Sequence, residues 1–284
     1  MSVSLPTAGD HALASATDSD GGARHPGWIL VATIAASSLA FIDGSVVNVA
    51  LPSIGRSLGA SPSDLQWTIN AYLLPLSALL LLGGAAGDRF GRRSLLIVGT
   101  TLFAFSSVLC ALAPRSGLLL AGRGFQGIGA ALLMPNSLAV LGDAFAGEAR
   151  GRAIGTWASI GAIASAVGPP LGGWLVGSIG WRAIFLLNLP VAALAIIATS
   201  CFVRESGERD RPIDWLGALL ATLALGLVTL SLTTLSEQRE LTALPMLTGT
   251  AGAVLLVILV LHERRAGERA MMPVRMFAST PSSA

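Results

Sequence analysis

Eight stretches of this chain are too long and too apolar to face water: residues 28–50, 66–87, 94–113, 117–141, 153–178, 182–203, 214–235 and 243–262. A helix that crosses a bilayer needs ~20 mostly apolar residues, and each stretch supplies them with almost no charge. Lipid offers backbone groups no hydrogen-bond partner, so only helices and closed barrels can span it. The runs are continuous and lack the in-out alternation of barrel strands. The chain is therefore read as an all-α polytopic membrane protein. Only 12% of its residues are charged, against about 25% in a soluble domain.

The types of ionisable residue narrow the chemistry. All 18 basic residues are Arg, and Lys is absent. A phosphate-binding P-loop needs its Lys, so the chain holds no complete P-loop, and Schiff-base and Ser-Lys chemistry fall away with it. Any energy source must lie outside a P-loop. Cys110 and Cys201 each sit in an apolar run, which suits packing better than a disulfide framework or a metal site. His11 and His25 lie outside the apolar runs and His262 stands at the very end of the last one, so neither an HExxH metal site nor a Ser-His pair is available within the membrane. No cofactor is expected. A net charge of +2 is too small to suggest nucleic acid as a partner.

The placement of charge sets an orientation. If the N-terminus starts inside, thirteen arginines fall on the inner side: Arg24, Arg89, Arg92, Arg93, Arg150, Arg152, Arg204, Arg209, Arg211, Arg264, Arg265, Arg269 and Arg275. Four fall outside, Arg56, Arg115, Arg182 and Arg239, and Arg123 lies within a span. That excess predicts both termini in the cytoplasm. Trp28, Trp67, Trp181 and Trp215 sit at span edges, where interfacial aromatics are expected. The grouping of spans predicts a polar tail at 1–27, a six-helix bundle at 28–203, a charged linker at 204–213, a helix pair at 214–262 and a basic tail at 263–284.

Ionisable residues inside a membrane are costly and mark function by default. Asp43 lies eight residues before the end of the first span, or ~12 Å, and Arg123 six residues into the fourth from the same face, or ~9 Å. The matched depths allow an ion pair if the helices are neighbours. Such a pair serves structure alone, or else its carboxylate is a proton carrier tuned by the arginine and by water access. The turn after the second span reads Gly84-Ala-Ala-Gly87-Asp88-Arg89-Phe-Gly91-Arg92-Arg93. Its glycines suit a tight turn, and Asp88 is placed to accept from free amides at the start of the next helix. The fifth span carries Gly168-Pro169-Pro170-Leu171-Gly172-Gly173, where the prolines remove backbone bonds and the glycines admit a close neighbour. Asn48, Gln66, Asn70, Gln126, Asn136 and Asn188 are candidates to line a cavity, though each alone is also explained by an interhelical hydrogen bond.

Taken in order, these segments resemble the major facilitator superfamily, and within it the 14-helix drug:proton antiporter group. The resembling stretches are Ile42 to Pro52, Gly84 to Arg93, Arg123 to Ala130, Gly168 to Gly173, Gly180 to Pro190 and Asp214 to Gly217. The resemblance implies a major-facilitator-type six-helix N-terminal bundle plus two additional helices, in an inner membrane. It implies proton-driven export of small amphipathic compounds by alternating access, with no enzymatic step. By the same analogy, Asp43 and Arg123 carry proton coupling. Gly84, Asp88, Arg89, Gly91, Arg92 and Arg93 form the cytoplasmic gate latch, and Gly168, Pro169, Pro170, Gly172 and Gly173 limit leak. The family places substrate between two six-helix halves. Only the first half and the linker pair are recognised here. The expectation is a truncated carrier that needs a missing C-terminal half or a second copy, the alternative being a non-transporting scaffold that awaits a partner half.

Overall fold

The computed structural model describes residues 25–207, 215–238 and 243–266. They form α1 (Pro26–Leu58), α2 (Pro62–Phe90), α3 (Arg92–Ala111), α4 (Ser116–Ala144), α5 (Gly147–Ser178), α6 (Ala183–Leu186), α7 (Asn188–Phe202), α8 (Trp215–Gln238) and α9 (Ala243–Ala266). The eight predicted spans are all present as helices long and apolar enough to cross a membrane, the sixth being α6 and α7 together. Most of the expected tails at 1–27 and 263–284, and much of the linker at 204–213, lie outside the described residues.

Local sequence sets the helix ends. Ser61 and Asp64 close a capping box at the start of α2, with Asp64 N–H donating to Ser61 Oγ at 3.1 Å and Ser61 N–H donating to Asp64 Oδ2 at 3.0 Å. The sixth span is interrupted at Leu187. Pro190 has no N–H to bond the carbonyl of Leu186, which accounts for a break at this level. The break places Asn188 at the first residue of α7. By contrast, α5 runs unbroken through Pro169 and Pro170, which lie on its exposed side.

In the bundle, α4 packs between α2 and α3, while α1 packs on α5, α7 and α4. Small residues allow the close approaches. A Cβ on Gly168 would collide with the Ser45 hydroxyl of α1, and one on Gly172 would lie 2.5 Å from Val46 Cγ2. Gly161, Gly168, Gly172 and Leu175 are the buried face of this stretch of α5, whereas Gly173 and Gly177 are exposed. The helix-5 motif therefore splits, with two of its residues seating α1 and three turned outward. The pair α8–α9 packs on itself, through Gly249 against Ser231 and Gly252 against Val228. It docks on the bundle through α8 against α2, where the hydroxyls of Ser77 and Thr229 lie 3.1 Å apart.

The buried side chains divide into two apolar clusters. One gathers Ile29 to Ala40 of α1 with Leu96, Phe103, Leu133 and Ala192 to Val203. The other gathers Val46 to Ile54 of α1 with Cys110, Leu119, Leu175 and Trp181 to Phe185. Between them, four helices cross a polar level at Asp43, Ser107, Arg123 to Gln126 and Asn188. Trp181 belongs to the second cluster and is only 3% exposed, so it is a core residue and not the interfacial aromatic expected from its position. It sits under Arg182, whose guanidinium carbon is 4.3 Å from the ring centre.

Gly168→Val should lower the melting temperature of the detergent-solubilised chain, through overpacking of about 1–3 kcal/mol. Gly155→Val, where an added Cβ meets open space, should change it much less. Equal shifts would show that α1 and α5 do not pack as described.

Candidate functional site

The expected pair forms. Arg123 Nη1 donates to Asp43 Oδ2, with both side chains at 1% exposure or less. Transfer of an unpaired charge into an apolar medium is prohibitive, and a buried pair survives only if its remaining donors and acceptors are also satisfied. Here they are. Arg123 Nε donates to the carbonyl of Thr68 in α2 at 3.0 Å, and Nη1 also donates to Gln126 Oε1 at 2.8 Å. The face of Tyr72 lies 4.4 Å from the guanidinium carbon, within cation–π range. On the carboxylate side, Gln126 Nε2 and Asn188 Nδ2 each reach Asp43 Oδ1 at 3.4 Å. Both carboxamides also donate to Ser107 Oγ, at 2.8 and 3.2 Å respectively. Ser107 passes its own proton to the carbonyl of Phe103 at 2.8 Å.

This arrangement revises the reading of the polar residues. Gln126 and Asn188, expected to line a cavity, are buried in the ion-pair layer. Asn136 is also buried, donating to the carbonyls of Gly83 and Leu132 at 3.0 and 2.7 Å. Its side chain fills the space beside Gly87 that a Cβ would need. Asn70 is buried, and only Asn48 and Gln66 of the six are exposed. Asn48 spends its amide on the carbonyl of Gly44 in its own helix, at 3.0 Å. Thr68, Tyr72, Ser107 and Cys110 were not anticipated as site residues. As single hydroxyls, a thiol and a backbone carbonyl in apolar runs, they carry no separate signal in the sequence.

A second cluster closes the end of the bundle that carries the α2–α3 turn. Gly91 makes that turn at φ +105°, a conformation open to glycine. Asp88 accepts from Arg92 Nε and Nη2 at 2.9 and 2.7 Å, and Arg92 Nη1 reaches across to Asp143 at the end of α4. Asp88 does not cap α3, contrary to the sequence expectation. That role falls to Glu205, beyond α7. Its carboxylate accepts from Arg93 N–H at 3.1 Å and from the Ser94 hydroxyl, while Arg92 N–H donates to the carbonyl of Ser206 at 2.8 Å. Arg93 Nη2 adds a bond to the carbonyl of Ser200 at 2.8 Å. Gly84 meets Pro135 of α4 at ordinary contact distance, and Arg89 is half-buried nearby. The turn is thus tied to α4 through Asp143 and to α7 through Glu205. Neither acid was singled out in the sequence, where each reads as an ordinary loop charge.

Fold and site together define a class: a helical bundle of membrane-spanning type with an ion pair buried inside it. The profile of the Major Facilitator Superfamily matches residues 33–284. The chain belongs to the major facilitator superfamily, whose members are membrane transporters and not enzymes. It is 41% identical over 199 residues to the multidrug resistance protein Stp of Mycobacterium tuberculosis (strain CDC 1551 / Oshkosh), covering 69% of this chain and 37% of that protein. It is 40% identical over 195 residues to the methylenomycin A resistance protein of Bacillus subtilis (strain 168), covering 68% of this chain and 42% of that protein. The chain therefore spans less than half the length of these relatives. In fold it is similar to the proton:xylose symporter XylE, with a TM-score of 0.59, 18% identity, and coverage of 90% of this chain and 57% of that one.

The burial of the pair sets an expected order of stability. Arg123→Leu strands a buried carboxylate and should destabilise the bundle by about 3–5 kcal/mol. The double variant Asp43→Leu/Arg123→Leu should recover much of that loss, as read by thermal unfolding in detergent. For the end cluster, Glu205→Ala should speed amide exchange at residues 92–95 by about tenfold, from the loss of charge-assisted bonds, and leave exchange at residues 126–133 unchanged.

Proposed function

We propose that this chain supplies the first bundle of a proton-coupled exporter of small, often amphipathic compounds, working by antiport. The observation that carries the reading is the Asp43–Arg123 pair, buried between two apolar clusters, bonded to two further helices and joined through Gln126 and Asn188 to a third. A carboxylate so placed is in direct contact with its arginine and buried from solvent. It can exchange a proton only when a conformational change alters that contact or admits water. Proton binding and helix arrangement are then linked, which is what a gradient-driven carrier requires. No cofactor is needed, because the proton gradient is the energy source. The relatives' names, multidrug resistance and methylenomycin A resistance, support export of drug-like compounds.

The same reading assigns the cluster around Asp88, Arg89, Arg92 and Arg93 to the cytoplasmic gate. Asp143 and Glu205 join it as the partners that hold the turn shut. Gly168 and Gly172 control how closely α5 follows α1, and Pro169, Pro170 and Gly173 face outward for a neighbour to seal. The excess of arginine on one side of the membrane supports an inner-membrane protein with both termini in the cytoplasm. Within the family, substrate sits between two bundles, so transport is assigned to an assembly that includes a second bundle, from a partner half or a second copy.

In proteoliposomes carrying the two-bundle assembly, Asp43→Asn should abolish substrate-driven proton release while the protein still inserts and purifies as a folded species. Undiminished exchange in that variant would remove Asp43 from the coupling step.

A further inference from the structure

The hydrogen-bonding capacity of the polar layer permits one arrangement in this state and a second after a proton arrives. Arg123 can only donate, so the oxygen of Gln126 must face it, and Gln126 Nε2 is thereby turned toward Ser107 and Asp43. Asp43 is paired with the cationic Arg123 and as a carboxylate can only accept, so Asn188 must present its nitrogen to it. The two carboxylate oxygens are thus unlike. Oδ2 faces the guanidinium, and Oδ1 faces two carboxamide donors from α4 and α7.

We propose that the carboxamides of Gln126 and Asn188 are a two-position relay that reports the protonation of Asp43 to α4 and α7. The proposal rests on Asp43 being the proton carrier. A proton taken from water onto Oδ1 would place an O–H donor against two N–H donors. The proton takes one of the lone pairs on Oδ1 and removes the negative charge, which weakens both amide contacts to Asp43, and Ser107 Oγ is already their nearer acceptor, at 2.8 and 3.2 Å against 3.4 Å to Asp43. Retreat to Ser107 gives up the two longer amide hydrogen bonds and keeps the two shorter ones. Arg123 is not stranded either, since Gln126 Oε1, the Thr68 carbonyl and the Tyr72 face still hold it. The net change is that α1 loses its polar ties to α7 and to the Gln126 level of α4, while α4 and α7 remain joined through Ser107 of α3. The other ionisable groups facing the layer are Tyr72 from α2 and Cys110 from α3. The Cys110 thiol donates to Gln126 Oε1 at 3.5 Å, so it shares the oxygen turned toward Arg123 and leaves the two N–H donors unopposed. Ser107 and Asn188 are positioning residues in this scheme, because they act on the proton through Asp43.

The test is infrared difference spectroscopy of the full chain in lipid on acidification, with isotope-labelled asparagine. Four asparagines are within the described helices, Asn48, Asn70, Asn136 and Asn188, so the label is sparse. The wild type should show a protonated-carboxyl band that disappears in Asp43→Asn, together with a label-sensitive side-chain amide band. Asn188→Val should remove the amide band and move the carboxyl band to a new frequency. Ser107→Ala offers a second variant that deletes the acceptor of the retreated state, and it should also shift the carboxyl band. A carboxyl band with no amide band, or one unmoved in both variants, would overturn the relay while leaving Asp43 as the proton carrier. Absence of any Asp43-dependent carboxyl band would overturn the proton reading, and the relay with it.

Discussion

A carboxylate and a guanidinium in contact, both buried from solvent, set the terms for the rest of this bundle. Each charge alone would be too costly at that depth. Together they demand that every remaining donor and acceptor find a partner, and the partners come from different helices. Thr68 and Tyr72 bring in α2, Ser107 brings in α3, Gln126 lies one turn from Arg123 on α4, and Asn188 brings in α7. The pair thus fixes the relative heights of five helices. Apolar clusters pack on either side of it. Such a layer is poorly suited to simple stabilisation, since apolar side chains of similar volume often serve stability as well or better. In the proposed function, its value lies in responding to charge.

The glycine contacts explain how helices come near enough for that layer to form. Gly168 and Gly172 let α5 lie directly on the stretch of α1 that holds Asp43, at Ser45 and Val46. Gly99 and Gly129 do the same for α3 and α4, where each would place a Cβ 2.9 Å from the other's carbonyl oxygen. In lipid, where the solvent is as apolar as the side chains, such small-residue contacts are a main source of helix association. The end cluster works differently. It uses charges at the membrane boundary, where Arg92 joins Asp88 to Asp143 and Glu205 seats the first turn of α3. A change at Asp43 that loosens α1 from α4 and α7 acts on the two helices whose ends hold this cluster. In the proposed scheme, that gives a physical route from Asp43 to the end cluster.

Much of this was legible in the sequence. Span positions follow from hydropathy and length, and the depths of Asp43 and Arg123 follow from counting residues along helices. Burial was harder to read. In a soluble helix the polar face points to water, but a membrane helix is apolar all round. Nothing in the local sequence distinguishes Gln126, which is buried in the layer, from Gln66, which is exposed. Trp181 was misplaced for the same reason, because an aromatic at a span edge suits both an interface and a packed corner. Asp143 and Glu205 could not be paired with the α2–α3 turn from sequence, since they lie 51 residues from Arg92 and 112 from Arg93. The capping role given to Asp88 was chemically reasonable and sequentially nearer, yet Asp88 is held by Arg92 one turn away.

The central claim is that Asp43, and no other group in the membrane, takes up and gives back a proton. The most direct measurement is the number of protons bound by the purified chain in lipid on acidification, compared between the wild type and Asp43→Asn. All other titrating groups are common to both, so the account predicts that the wild type binds one more proton per chain. Identical proton uptake in the two proteins would contradict it.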